Sequence, residues 1–116
     1  MPDLQAQNEF TLLRQTIEHL QEIHDDSKTP LDIATAIYPK IQELTNKERD
    51  LRGKAFNSAS VDSEYKKAVE KLDAVNNITK EQAQDHANKL KTIADISNAV
   101  TAVLDLAIAV GKLAAA

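Results

Sequence analysis

Cysteine and tryptophan are absent from this chain of 116 residues, glycine occurs twice, proline three times, and aromatic residues make up only 3%. Each scarcity removes something. Without cysteine there are no disulfides, no thiol nucleophile and no thiolate metal site. Two isolated glycines cannot form a P-loop, a dinucleotide-binding turn or a glycine-rich oxyanion hole, and no Gly-x-Ser-x-Gly elbow occurs. An enzyme is therefore not expected. So few turn formers suit a small number of long helices better than many short strands, and so few aromatics leave a core of Leu, Ile, Val and Ala. The amino terminus lacks a basic start followed by an apolar run, so no signal peptide is expected and the expected compartment is the cytoplasm.

An excess of positive charge is missing too. Fourteen basic residues stand against 18 acidic ones, a net −4, which offers no electrostatic reason to bind a polyphosphate. The densest basic run, from Lys47 to Lys54, is interleaved with Glu48 and Asp50 and has no aromatic platforms beside it. No nucleic-acid partner is expected. Helical bundles can hold metals, but the di-iron pattern needs Glu-x-x-His on two helices and this chain has none. Glu18, His19, Glu22, His24, Asp25 and Asp26 cluster where the first helix should end, and they read as a solvated C-terminus with histidines near its negative dipole end. No metal and no cofactor are expected. His24 and His86, each at an apolar-stripe position, read as edge residues with one ring nitrogen bonded.

What is present is helical periodicity. At this length one domain, 1–116, is expected, large enough to bury a real core. The first helix should run from about Asp3 to about His24 on Phe10, Leu13, Ile17, Leu20 and His24, with Leu12, Thr16 and Ile23 widening that side. After a polar connector, Thr29 reads as the N-cap of a second helix, with Pro30 at its first position and Asp32 in its first turn. Its stripe is Ile33, Ile37, Ile41, Leu44, Leu51 and Ala55, interrupted at Glu48, for which an exposed position is expected. Pro39 predicts a kink near Ala36 or a break at Tyr38, and the helix should close in residues 57–60. Ser60 can cap a third helix carrying Val61, Tyr65, Ala68, Val69, Leu72 and Val75. Asn76 and Asn77 should end it in a left-handed turn, and Thr79 with Gln82 has the form of a capping box for the next helix.

From Thr79 to the terminus the pattern reads as one long helix, increasingly apolar, with a seam of Ala83, His86, Leu90, Ile93, Ser97, Val100, Leu104 and Ala107 at alternating spacings of three and four. Its polar groups form a narrow strip of Asn98, Thr101, Asp105 and Lys112. Ile96, Val103, Leu106, Val110 and Leu113 are left as an extra apolar flank beyond that seam, and they are the candidate interaction surface. Short connectors make consecutive helices neighbours, so the expected fold is an all-α, antiparallel four-helix bundle, up-down-up-down, with the second helix kinked near Pro39 and a long C-terminal helix.

A helix apolar around most of its circumference must be enclosed by its own chain, by copies of itself or by lipid. The leading expectation is a non-enzymatic bacterial interaction factor of adaptor, inhibitor, immunity or chaperone type, with a protein partner or a homo-oligomer formed through the flank. The alternative is a membrane-active protein: long amphipathic helices with one Ala/Val/Leu-rich segment resemble the layout of helical pore-forming toxins, without any motif specific to them. Asp105 near the middle of that segment weighs against a constitutive membrane span, since a carboxylate there costs about 2.5–3.5 kcal/mol on an insertion scale. A structural subunit of a phage or secretion assembly is a third reading, fitting the Asn, Gln, Ser and Thr content.

Overall fold

Apolar stripes at helical spacing become buried faces in the computed structural model, which describes residues 4–51 and 61–115, with side chains for 11–51 and 61–112. The protein is all-α. Helix α1 spans Leu4–Asp25, α2 Leu31–Leu51, α3 Asp62–Asn76 and the single-turn α4 Lys80–Gln84; a 3-10 turn, His86–Asn88, leads into the long α5, Lys89–Ala115. On α1, Leu13, Thr16, Ile17, Leu20 and Ile23 are buried, and on α3 Val61, Ala68, Leu72 and Val75 are. The stripe of α2 is buried as its spacing predicts. Phe10, Ala55, Ser60 and Leu113 lie outside the described side chains.

Four main helices pack together in an order other than the expected ring of consecutive neighbours. Among the described residues α1 packs on both α2 and α3, and α5 packs on both α2 and α3. Helices α2 and α3, consecutive in sequence, are not among the principal partners. Adjacency in sequence therefore does not make α2 and α3 principal neighbours in the bundle. The core sits where the four inner faces meet. Each fully enclosed Leu or Ile there contributes roughly 1.5–3 kcal/mol of transfer free energy.

Several local expectations change. Helix α2 runs through Pro39 as one helix, without the break expected as one alternative at Tyr38. The carbonyl that loses its donor belongs to Thr35, and Thr35 and Pro39 are both exposed, a position where solvent can take the place of the missing donor. Thr29 does not cap α2: its hydroxyl donates to the Ile23 carbonyl and accepts from Gln84 Nε2 at 3.1 Å, while Pro30 supplies the carbonyl for the first turn. Val61 holds the N-cap position of α3 without a side-chain bond, and Asn77 closes that helix in a right-handed conformation, φ −83° and ψ −7°. The capping box forms as expected, Gln82 N donating to Thr79 Oγ1 and Thr79 N to Gln82 Oε1, each at 3.1 Å.

The largest correction concerns the C-terminal helix. It is not continuous from Thr79: Asp85 takes an extended conformation, φ −84° and ψ 119°, and its carboxylate accepts from Ala87 N. That break turns the following chain about its axis relative to α4, so a seam projected from Ala83 lands one position off. Leu90 is 84% exposed and His86 is exposed, whereas Ile96, Val103, Leu106 and Val110 are buried. The inner face of α5 is Thr92, Ile96, Ala99, Val103, Leu106 and Val110, spaced four and three in alternation. Of the flank, Ile96, Val103, Leu106 and Val110 are therefore core; of the expected seam, Ala83 and Val100 are buried, while Ile93, Ser97, Leu104 and Ala107 occupy the half-buried margin. The strip Asn98, Thr101, Asp105 and Lys112 faces solvent as expected.

Candidate functional site

Residues proposed from sequence as an interaction surface are thus withdrawn from the surface: Ile96, Val103, Leu106 and Val110 are each at most 1% exposed. Any surface chemistry must be sought elsewhere. Among the described residues no group of three or more His, Asp and Glu side chains is placed to hold a metal. The acidic and histidine cluster is instead dispersed. His24 Nδ1 lies 2.9 Å from Asp25 Oδ1, while His19 Nε2 reaches across to the Ile78 carbonyl at 2.6 Å and helps tie α1 to the α3–α4 link. Beside it, Asn76 Nδ2 donates to the buried Thr16 hydroxyl at 2.7 Å, which itself donates to the Leu12 carbonyl.

Polar contacts concentrate at the end of the molecule where α1 ends and α2 and α5 begin. Asp32 in the first turn of α2 accepts from Lys89 Nζ at 2.8 Å and lies 3.7 Å from His86 Nδ1. The Lys89 hydrogen bond, aided by the Lys89 and His86 charges, holds its carboxyl below the usual carboxylate range against a small desolvation penalty. Asp26 is lowered too, chiefly because the Lys28 backbone N–H donates to it. Asp32 is exposed and Asp26 half-buried, and their partners are neighbouring loop and helix-end groups, so they fasten the ends of the helices together.

Glu48 departs from expectation in the opposite sense to Leu90. It is only 8% exposed, and Arg14 Nη2 donates to its Oε1 at 3.0 Å. Arg14 keeps 57% of its side chain open, so the pair is a rim contact with one buried partner. It joins the N-terminal half of α1 to the C-terminal end of α2.

The most distinctive surface is on the outer side of that same helix pair. Helix α2 divides its circumference into three: the core stripe, a charged side with Asp32, Lys40, Glu43, Lys47 and Asp50, and a third stripe with no charge. The last is Leu31, Thr35, Tyr38, Gln42 and Thr45, again at alternating spacings of four and three. Leu31 is 82% exposed and Tyr38 49%. Two shallow grooves meet at Tyr38. One, about 330 Å³, is lined by His24, Leu31, Ala34, Thr35 and Tyr38; the other, about 450 Å³, by Gln21, Tyr38, Ile41, Gln42, Thr45 and Asn46. The His24 and Tyr38 rings lie 5.5 Å apart at a 36° tilt and floor the junction. Among the described residues no charged side chain lines either groove. Sequence reasoning passed over this stripe because the isoleucine stripe on the same helix explained the periodicity; a second heptad-like spacing without charge was the available signal.

On the other side of the molecule, Glu64, Lys67, Asp105 and Lys112 surround a groove of about 420 Å³ between α3 and α5, with Ile108 in it. That groove carries charges of both signs and no buried polar group. Compared with protein-family models, with curated proteins and with solved structures, the chain shows no match.

Proposed function

We propose that this chain is a non-enzymatic helical-bundle interaction factor, an adaptor, inhibitor, immunity or chaperone type of protein, that binds protein partners in the cytoplasm through the outer face of α1 and α2. The scaffold inferred with it is a bundle whose main helices alternate in direction, up-down-up-down, as two hairpins, α1–α2 and α3–α5, laid against each other. The observation that carries the reading is the uncharged stripe through Leu31 and Tyr38, on a protein in which 28% of residues are charged. Exposed Leu and Tyr in a row bordered by neutral Gln, Thr and Asn make a surface that is cheap to desolvate, and Tyr is among the residues that anchor interfaces. A photo-crosslinking residue at position 38 should capture a protein in cells that make this chain, whereas one at Asn98, on the exposed face of α5, should not. Equal capture at both positions, or none at 38, would sink this assignment.

A membrane-active protein is the second reading. What favours it is that His86–Lys112 is long and apolar enough to cross a membrane by length and composition. Insertion would require α5 to leave α2 and α3. Dye release from anionic vesicles at neutral and acidic pH supports it; full retention of dye under both conditions removes it.

A further inference from the structure

The break at Asp85 divides a stretch whose own residues suit one helix. Between Gly53 and Gly111 the chain has neither glycine nor proline, and the Thr79 capping box would start a longer helix as well as it starts α4. Instead Asp85 is extended, its carboxylate accepts from Ala87 N at 3.0 Å, and the chain turns into α5 behind it. Around this bend Lys89 and His86 reach the exposed Asp32, Gln84 Nε2 donates to the Thr29 hydroxyl, and Lys80 lies 3.9 Å from Asp26. Polar contacts near solvent exchange their partners for water at small cost. The bend leaves Leu90 84% exposed, with Ala87 and Ala94 exposed as well. In a helix running straight on from α4, Ala83, Ala87, Leu90 and Ala94 fall in one line at spacings of four, three and four. Ala83 is the residue that α4 buries, so the straight form carries its inward face on through Leu90.

We propose that residues 79–91 are a hinge through which two copies of this chain exchange α5: the bend straightens, α4 keeps its seat, and the α5 of each copy packs against α2 and α3 of the other. The occupant is a second copy because only α5 itself has the shape of the space it leaves. In the closed chain Ile96, Ala99, Val103, Leu106 and Val110 are buried where α5 meets α2 and α3. The same side chains from another copy meet identical neighbours there, so the exchanged core is packed as the closed one is. Only the hinge differs. The straight form gains the helical backbone bonds that the bend interrupts and gives up the Asp85 cap. A two-fold exchange runs the two bridging helices past each other in opposite directions, and the uncharged line through Leu90 is what each offers the other. The outer face of α1 and α2 takes no part, and the exchange does not rest on it. Because α5 must leave one core before it enters another, the pair forms during folding at high concentration and then separates only by unfolding.

The test is to refold the full chain from urea at about 1 µM and at about 1 mM and to read its mass by light scattering behind size exclusion. Dimer should appear only after the concentrated refolding, and should persist for hours when diluted. Asp85→Ala removes the cap of the bend and supplies a better helix former, and should raise the dimer-to-monomer ratio at least about tenfold. His86→Pro should abolish the dimer and keep the monomer helical. The residue before a proline must be extended, as Asp85 is, and the first position after a cap accepts proline, whereas inside a straight helix it removes a backbone bond and clashes. Absence of dimer from both the parent and Asp85→Ala overturns the exchange. So does a ratio unmoved by Asp85→Ala, a dimer that His86→Pro retains, or one that falls apart promptly on dilution, as a surface contact does. If His86→Pro does not fold, the Asp85→Ala ratio and the dilution step still decide.

Discussion

Helices α2 and α5 lie side by side, fastened at their N-terminal ends by Lys89 and Asp32, yet they define an inside and an outside in different ways. On α2 the faces are marked by kind: isoleucines inward, charges on one flank, neutral side chains on the other. On α5 beyond Ser97 the inner face and its margins are aliphatic, and only Asn98, Thr101, Asp105 and Lys112 mark the outside there. The contrast shows that an abundance of apolar residues specifies burial but not direction. A helix with charges on a defined side can be oriented from its own residues, because each misplaced charge costs several kcal/mol. A helix of Ala, Val, Leu and Ile can rotate by one position at little cost until neighbours fill the space around it.

The most severe test of the contrast is on α5. Leu106→Ala, at a fully buried site, should cost about 2–5 kcal/mol in urea unfolding, whereas Ile108→Ala, 57% exposed, should stay within about 0.5 kcal/mol. Comparable costs at the two sites would mean that α5 has no fixed face. On α2, Glu48→Ala should cost about 1–2 kcal/mol, less than a fully enclosed ion pair, because Arg14 regains water when its partner is removed. If the variant is as stable as the parent, the charge on the inner face of α2 contributes nothing to orientation.

Thr79→Ala removes one arm of the capping box that sets where α4 begins, and about 1 kcal/mol should be lost. The smallest effect expected is electrostatic, at the junction of the two helices. Asp32 and Asp26 have folded-state pKa values below the ordinary aspartate range, so their contribution is fully present above the unfolded carboxylate range. It fades as pH falls through the lowered values, below about pH 4. The midpoint of urea unfolding should therefore drop less steeply on acidification for Asp32→Asn than for the parent, and 1 M salt should narrow that difference.

Much of the fold was legible because most of its signals are local. Most of the described stripe residues of α1, α2 and α3 are buried at the expected positions, with Leu12, His24, Tyr65 and Val69 half-buried, and the Thr79–Gln82 box depends only on four adjacent residues. Three features were not legible. Burial of Glu48 depends on Arg14, 34 positions away, and a propensity argument sees only a charge in an apolar stripe. Continuity of α2 through Pro39 goes with the exposure of Thr35 and Pro39, which is a property of the packed bundle. The candidate flank on α5 was misplaced because Asp85 interrupts the helix, and one local break shifts every position projected past it. The neutral stripe of α2 was present in the sequence but gained meaning only when α1 left it uncovered.

By itself, then, the sequence determined an all-α chain with an aliphatic core, helix ends at its polar connectors, and the absence of cysteine chemistry; these follow from composition, 3.6-residue periodicity and capping between near neighbours. Tertiary structure alone decided which side of α5 is core, that α1 and α5 each pack between α2 and α3, and that the α1–α2 face is left open. Those outcomes depend on side chains distant in sequence filling one volume together, and a one-dimensional pattern leaves the rotation of an aliphatic helix about its axis undetermined until that volume is filled.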